Sequence, residues 1–157
     1  MAISEGDALP DIDLDLPDGG SVNLKSYAGK PFILYFYPKD DTSGCTREAQ
    51  DFSAMLGDFT AAGAQILGVS KDTPEKHRKF IDKHGLTVPL ASDPEGIALE
   101  AFGAWVEKNM YGRKYMGIER STFLFDADGK LAREWRKVRV PGHAEKVLEA
   151  VRELDAA

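Results

Sequence analysis

The chain contains one cysteine, Cys45, in 157 residues. An intrachain disulfide is therefore excluded, and a zinc–thiolate cluster is implausible. A dithiol oxidoreductase built on Cys-x-x-Cys lacks its second thiol. No apolar run approaches the roughly 20 residues needed to cross a bilayer. The opening residues, Met-Ala-Ile-Ser-Glu-Gly-Asp, have neither the basic stretch nor the apolar stretch of a secretory leader, so the expected location is the cytoplasm. Basic side chains are the minority charge, 20 against 26 acidic, for a net −6. That balance disfavours nucleic acid or an anionic membrane as an obligate partner. Asp40-Asp41 and Asp126-x-Asp128-Gly129 do not continue into an EF-hand loop. No repeat, low-complexity tract or linker divides the sequence, and its length suits one domain spanning residues 1–157.

What is present centres on Pro31 to Asp51. Phe32 to Tyr37 is a run of six apolar or aromatic residues between prolines, the pattern of a strand buried on both faces. From Cys45 onward, Cys45, Ala49, Phe52 and Leu56 recur on one side of a helix. Between strand and helix lies a polar turn, Pro38 to Gly44, in which Pro38 closes the strand and Thr42 or Ser43 is the candidate N-cap. Cys45 then falls in or just before the first helical turn. Unpaired N–H groups and the helix dipole favour an anion there, and thiols so placed ionise more readily than free cysteine. A lone cysteine is commonly just a small buried hydrophobe; the strand–loop–helix setting favours the nucleophile.

Elsewhere, residues 11–16 alternate polar and apolar and pair with 21–23 as an N-terminal hairpin. Residues 65–70 and 90–92 read as strands. Thr73 caps a helix with Pro74 at its first position, which Gly85 ends. A further helix starts at Asp93 or Pro94. Residues 104–118 read as a long irregular loop, a feature often tied to function. Residues 121–125 and 131–138 form a hairpin, and 142–154 a closing amphipathic helix. His77 and His84 lie on a charged helix and read as surface residues, and His143 sits at a helix start. Trp105, Tyr111 and Trp135 read as core or loop packing, and Arg47 as part of a solvated helix face.

The spacing Pro38-xxx-Thr42-xx-Cys45 matches the PxxxTxxC motif of the peroxiredoxins. The longer string FYPKDDTSGCTREA resembles the PrxQ, or bacterioferritin-comigratory-protein, subgroup. It departs at Ser43, where the subgroup commonly has proline, and at Gln50. The resemblance extends over most of the chain, through Gly68-Val69-Ser70, Trp105-xx-Lys108-x-Met-Tyr-Gly112 and Arg120-Ser-Thr-Phe-Leu. It implies an α/β, thioredoxin-like fold with a mixed central sheet flanked by helices.

The chemistry so implied is thiol-dependent reduction of a hydroperoxide, without metal, haem or flavin. Cys45 would attack a peroxide oxygen and become a sulfenic acid. Thr42 matches the position whose hydroxyl binds the peroxide, and Pro38 the residue that shields the thiolate. Arg120 matches the active-site arginine, Glu48 a position beside it, and the N–H groups near Gly44 and Cys45 are further donors. Two-cysteine members often carry their resolving cysteine where this chain has Gln50. With Cys45 alone, the expected recycling partner is an external thiol: thioredoxin, glutaredoxin or a low-molecular-weight thiol. With no internal bond to form, the first helical segment has no chemical need to unwind. The expected state is a monomer, with a Cys45–Cys45 dimer as an oxidation product. A peroxide sensor or redox relay is the alternative built on the same site.

Overall fold

Phe32 to Tyr37 are each at most 1% exposed. Their side chains alternate, with Ile33, Tyr35 and Tyr37 in one core cluster and Phe32, Leu34 and Phe36 in the other. Because a strand has period two, this run demands cover on both faces of its sheet. Each fully buried side chain of this size contributes about 1.5–3 kcal/mol, so the segment fixes the centre of the molecule.

The computed structural model describes residues 2–156. Its elements are β1 (Asp13–Asp15), β2 (Ser21–Asn23), a 3-10 turn (Leu24–Tyr27), β3 (Phe32–Phe36), α1 (Ser43–Ala54), α2 (Leu56–Ala61), β4 (Gln65–Ser70), α3 (Pro74–His84) and β5 (Leu90–Ser92), followed by α4 (Ile97–Ala101), β6 (Trp105–Met110), β7 (Arg113–Ile118), β8 (Ser121–Phe125), β9 (Leu131–Trp135) and α5 (His143–Ala156). Seven strands form one sheet in the order β2-β1-β5-β4-β3-β8-β9. β3, β4 and β5 run parallel, while β8 and β9 on one side and β1 and β2 on the other are antiparallel. The sheet is mixed, as expected, with the N-terminal hairpin at one edge. Phe52 of α1, Phe59 of α2, Phe80 of α3 and Val147 of α5 cover the face that carries Tyr35. Leu24, Leu99 and Phe102 cover the opposite face.

The predicted caps of α3 are in place. Thr73 accepts from the Lys76 N–H at 3.2 Å, Pro74 occupies the first turn, and Gly85 closes the helix at φ 60°. Two expectations change. The helix that begins at Cys45's segment is interrupted at Met55 rather than continuous; beside the break, Ser53 Oγ accepts from the Thr87 and Val88 N–H groups at 3.0 Å each. Residues 104–118 are not an irregular loop: β6 and β7 pair as an antiparallel ribbon, Trp105 opposite Ile118 and Met110 opposite Arg113. Its tip is a two-residue turn, Tyr111 and Gly112, both at positive φ (53° and 79°). This is the turn geometry that two-residue hairpins favour. The ribbon is poorly marked in sequence because both of its faces are largely solvated, so polar and apolar residues do not alternate cleanly. Tyr111, read as a packing residue, is 99% exposed at that tip.

One packing constraint is unusually tight. Gly68 pairs with Tyr35 across β3 and β4, and a Cβ at position 68 would stand 2.5 Å from Tyr35 Cζ. The ring occupies the space where a side chain would be. Gly68→Ala should therefore destabilise the protein by about 1–3 kcal/mol, as overpacking does. Urea unfolding measures this; an unchanged midpoint would mean that the Tyr35 ring has room to move aside.

Candidate active site

Cys45 is the third residue of α1, so it sits in the turn whose backbone N–H groups have no intrahelical partner. Cys45, Glu48, Ala49 and Phe52 form the buried stripe of this helix, and the free Cys45 side chain is 2% exposed. Helical spacing places Glu48 one turn beyond the cysteine on the same side.

Arg120 arrives from the short link between β7 and β8, 75 residues away in sequence. The Val138 N–H donates to its carbonyl at 2.9 Å and holds the backbone. One terminal nitrogen, NH2, donates to Cys45 Sγ at 3.4 Å, and the other, NH1, to Glu48 Oε1 at 2.7 Å. Gly44 leaves room for this arrangement, since a Cβ there would press on Arg120 NH2 at 3.1 Å. Burial alone lowers the Arg120 pKa, but Glu48 and Cys45 outweigh it and raise the value, so the guanidinium stays charged. Glu48 is the strained partner. Burial pushes its carboxyl up to about 7 against the pull of Arg120, and its Oε2 has no hydrogen-bond partner. The Tyr35 hydroxyl, also buried and unpartnered, stays protonated because burial, then Glu48 and Cys45, raise its pKa well above 10.0.

A buried thiol at an uncapped helix start, held by an arginine that shares its charge with a carboxylate, is the arrangement implied by PxxxTxxC. The family model described as AhpC/TSA matches residues 5–134. This chain belongs to that family. It is a peroxiredoxin of the PrxQ branch. Peroxiredoxin Bcp of Bacillus subtilis is 47% identical over 154 residues, covering 98% of both chains. Peroxiredoxin Bcp of Xanthomonas campestris is 48% identical over 142 residues, covering 90% of this chain and 89% of that one. Among solved structures, the Xanthomonas campestris bacterioferritin comigratory protein, studied for its alkyl peroxide reduction activity, superposes with a TM-score of 0.88 at 46% identity, covering 94% and 98% of the two chains. A Xylella fastidiosa PrxQ mutant reaches 0.92 at 38% identity, covering 100% and 99%. The thioredoxin-like fold expected from the sequence is the fold these relatives share.

Of the residues named from the sequence, Cys45, Gly44, Glu48 and Arg120 come together. Thr42 occupies the cap position, but its side chain does not cap the helix. Its hydroxyl donates instead to the Lys39 carbonyl at 2.8 Å, which leaves the first-turn N–H groups uncapped. Pro38 lies at the exposed start of the loop, just after the Tyr37 N–H makes a last bond to Val69 O at 3.1 Å. Arg47 is solvent-exposed and pairs with Asp51 at 3.0 Å, as a solvated helix face should.

One histidine departs from expectation, while His143 does stand at the start of α5. His77 is not a surface residue; it is fully buried and pairs with Asp40 at 2.6 Å. Its spacing to Phe80 and Ile81 on α3 was the available signal, since i, i+3 and i+4 share a face. His143 is buried too, with Nε2 2.8 Å from Thr122 Oγ1. Burial first, then Lys146 and Arg120, pull its pKa down to about 4, so it is neutral at pH 7. Among the described residues no histidine hydrogen-bonds Cys45. The burial of Cys45 also corrects the view that the helix start need not move. A thiol on a partner protein cannot reach a sulfur that is 2% exposed unless the first turn opens.

The Glu48 carboxyl sets a pH dependence. Its folded pKa is raised from 4.5 to about 7, so in that window the folded state holds a proton that the unfolded chain releases. Stability attributable to Glu48 is present below pH 4.5 and lost as pH rises through 7. His143, lowered from 6.5 to about 4, acts with the opposite sign over nearly the same range, so the variant is needed to isolate Glu48. Relative to Glu48→Gln, the wild-type protein should lose stability between pH 4.5 and 7 and then level off. Urea titrations at four pH values test this, and a constant difference would refute the raised pKa.

Proposed function

We propose that this chain is a thiol-dependent peroxidase in which Cys45 is the peroxidatic nucleophile. The observation that carries the reading is the Arg120 guanidinium, 3.4 Å from Sγ and anchored on Glu48. A fixed cation there faces the sulfur and offers donors to a peroxide lying against it. The thiolate attacks the near peroxide oxygen; an S–O bond forms as the O–O bond breaks. The departing oxygen takes up a proton and leaves as alcohol or water, and Cys45 becomes a sulfenic acid. Thr42 binds the peroxide through its hydroxyl lone pairs, Pro38 limits access of water, and the Gly44 and Cys45 N–H groups add donors.

Recycling follows from cysteine arithmetic. An external thiol condenses with the sulfenic acid, releasing water and leaving a mixed disulfide. A second thiol then displaces Cys45. Thioredoxin, glutaredoxin or a small thiol meets this need, and a thiol-rich compartment such as the cytoplasm supplies it. Among the described residues no helix is long and apolar enough to cross a membrane. The working unit is a monomer. The relatives' own names speak for peroxide reduction, and no feature of the site favours the relay alternative.

Cys45→Ser should abolish peroxide consumption while leaving the circular dichroism spectrum intact; retained turnover would remove Cys45 from the mechanism. Arg120→Ala should slow Cys45 oxidation about 10²-fold or more, the scale of one lost transition-state donor. Stopped-flow oxidation of the reduced protein reads that rate, and an unchanged value would place Arg120 outside the chemistry. Turnover should require added thiol. Without it, one equivalent of peroxide should add one oxygen to the intact mass, and sustained catalysis would contradict the one-cysteine cycle.

A further inference from the structure

The loop from Pro38 to Thr42 carries two of the proposed site residues, and Asp40 within it is anchored on groups outside the loop. The Asp40 carboxylate turns inward. One oxygen accepts from the Tyr37 hydroxyl at 2.5 Å, and the other lies 2.6 Å from His77 Nδ1. The backbone N–H of Asp40 donates to Asp72 Oδ2 at 2.7 Å, and the same oxygen accepts from Ser70 Oγ at 2.8 Å. His77 in turn donates from Nε2 to the Ala91 carbonyl at 2.9 Å. Its side chain is 0% exposed and that of Asp40 5%. Asp40 thus ties the loop to the end of β3, to α3 and, through Asp72, to the end of β4.

We propose that Asp40 and His77 are positioning residues for peroxide reduction, locking the Pro38–Thr42 loop so that Thr42 meets the peroxide in line with Cys45. The inference rests on the peroxidase reading above. Three points carry it. The Asp40 contacts to Tyr37 and His77 are buried, so water does not compete for them. His77 has a polar partner within hydrogen-bond distance of each ring nitrogen, so the orientation of the ring is fixed from both sides. Asp41, the next residue, adopts φ 61°, a left-handed turn that reverses the loop's direction right beside the anchored residue. The Asp41 contacts to Lys83 and His84, both 2.7 Å, are partly solvated and are weak anchors by comparison. Asp40 is therefore the loop's most buried anchor. A displacement of about 1 Å at a reacting group costs on the order of 10²-fold in rate, which makes such a lock consequential although neither residue touches substrate.

The test compares two reactions of Cys45 in each variant: oxidation by hydrogen peroxide, which needs the aligned loop, and alkylation by iodoacetamide, which needs the thiolate and access to it but no alignment with Thr42. Asp40→Ala removes the anchor. His77→Gln keeps a donor toward Ala91 and loses the link to Asp40. Asp40→Asn keeps an acceptor for Tyr37 and offers a donor to His77. Asp40→Ala and His77→Gln should lower the oxidation rate about tenfold or more, with alkylation within about twofold of wild type. Asp40→Asn should recover most of the loss. If Asp40→Ala does not fold, His77→Gln and Asp40→Asn carry the comparison alone. Oxidation unchanged in a folded His77→Gln protein would overturn the proposal. So would oxidation and alkylation falling together, which would place the effect on the thiol, or Asp40→Asn being no better than Ala. A wild-type protein whose Cys45 peroxide does not oxidise would instead overturn the peroxidase reading, and that is seen before any variant is made.

Discussion

The bridge from Glu48 through Arg120 to Cys45 is the interaction on which the rest of the site depends. A carboxylate 2% exposed and a guanidinium 17% exposed are costly to take from water, and removing one partner of such a pair costs about 3–5 kcal/mol. The compensation is incomplete, because Glu48 keeps one unpartnered oxygen and a carboxyl raised to about 7. Several otherwise unrelated features serve the bridge. Gly44 gives the guanidinium room, the Val138 N–H fixes the Arg120 backbone, and the helical spacing of Cys45 and Glu48 presents both to one cation. A fold optimised for stability alone would fill that space with apolar side chains; the strain is intelligible as the cost of holding a cation against sulfur.

The sheet supplies the rigidity that the bridge requires. β3 ends where the catalytic loop begins, and its antiparallel neighbour β8 begins where Arg120 ends. Phe36 is paired with Ser121 in that register, so the nucleophile's loop and the arginine emerge from adjacent strands at the same edge. Tyr35, pressed against Gly68, forbids slippage of β3 against β4, because a one-residue shift would reverse every side chain between faces. Strand register thus brings the arginine and the cysteine's loop to the same end of the sheet, where the Glu48 contact completes the placement.

Burial of Cys45 sets the terms of recycling. A peroxide is small enough to reach a sulfur at the floor of a helix start; a protein thiol is not. Direct contact with a protein thiol would require α1 to yield at its first turn, even though the chain forms no disulfide of its own. Two features suit that motion. No side chain caps the turn, because the Thr42 hydroxyl is engaged with Lys39, and α1 ends at Met55 instead of running on into α2. Ends of short, uncapped helices are where local opening costs least.

The sequence by itself determined the place of the single cysteine at a helix start, the buried strand before it and most of the order of elements around it. These are local signals: one cysteine, six consecutive apolar residues, and a motif whose spacing lies within eight positions. It also marked Arg120 and Glu48, though only through a family pattern, since nothing local says that residues 72 positions apart form a 2.7 Å ion pair. Other features were decided by tertiary structure. His77 reads as solvated among Lys76, Arg78 and Lys79, yet α3 packs that face against the sheet and Asp40 meets it there. The β6–β7 ribbon reads as a loop because its strands bury little, so only cross-strand pairing defines it. Thr42 reads as a cap, but its hydroxyl has a nearer acceptor once the loop is folded. Local sequence carries burial periodicity and turn chemistry, which act over a few residues. Which polar groups find each other across the fold depends on chain packing, and that information no stretch of this sequence contains.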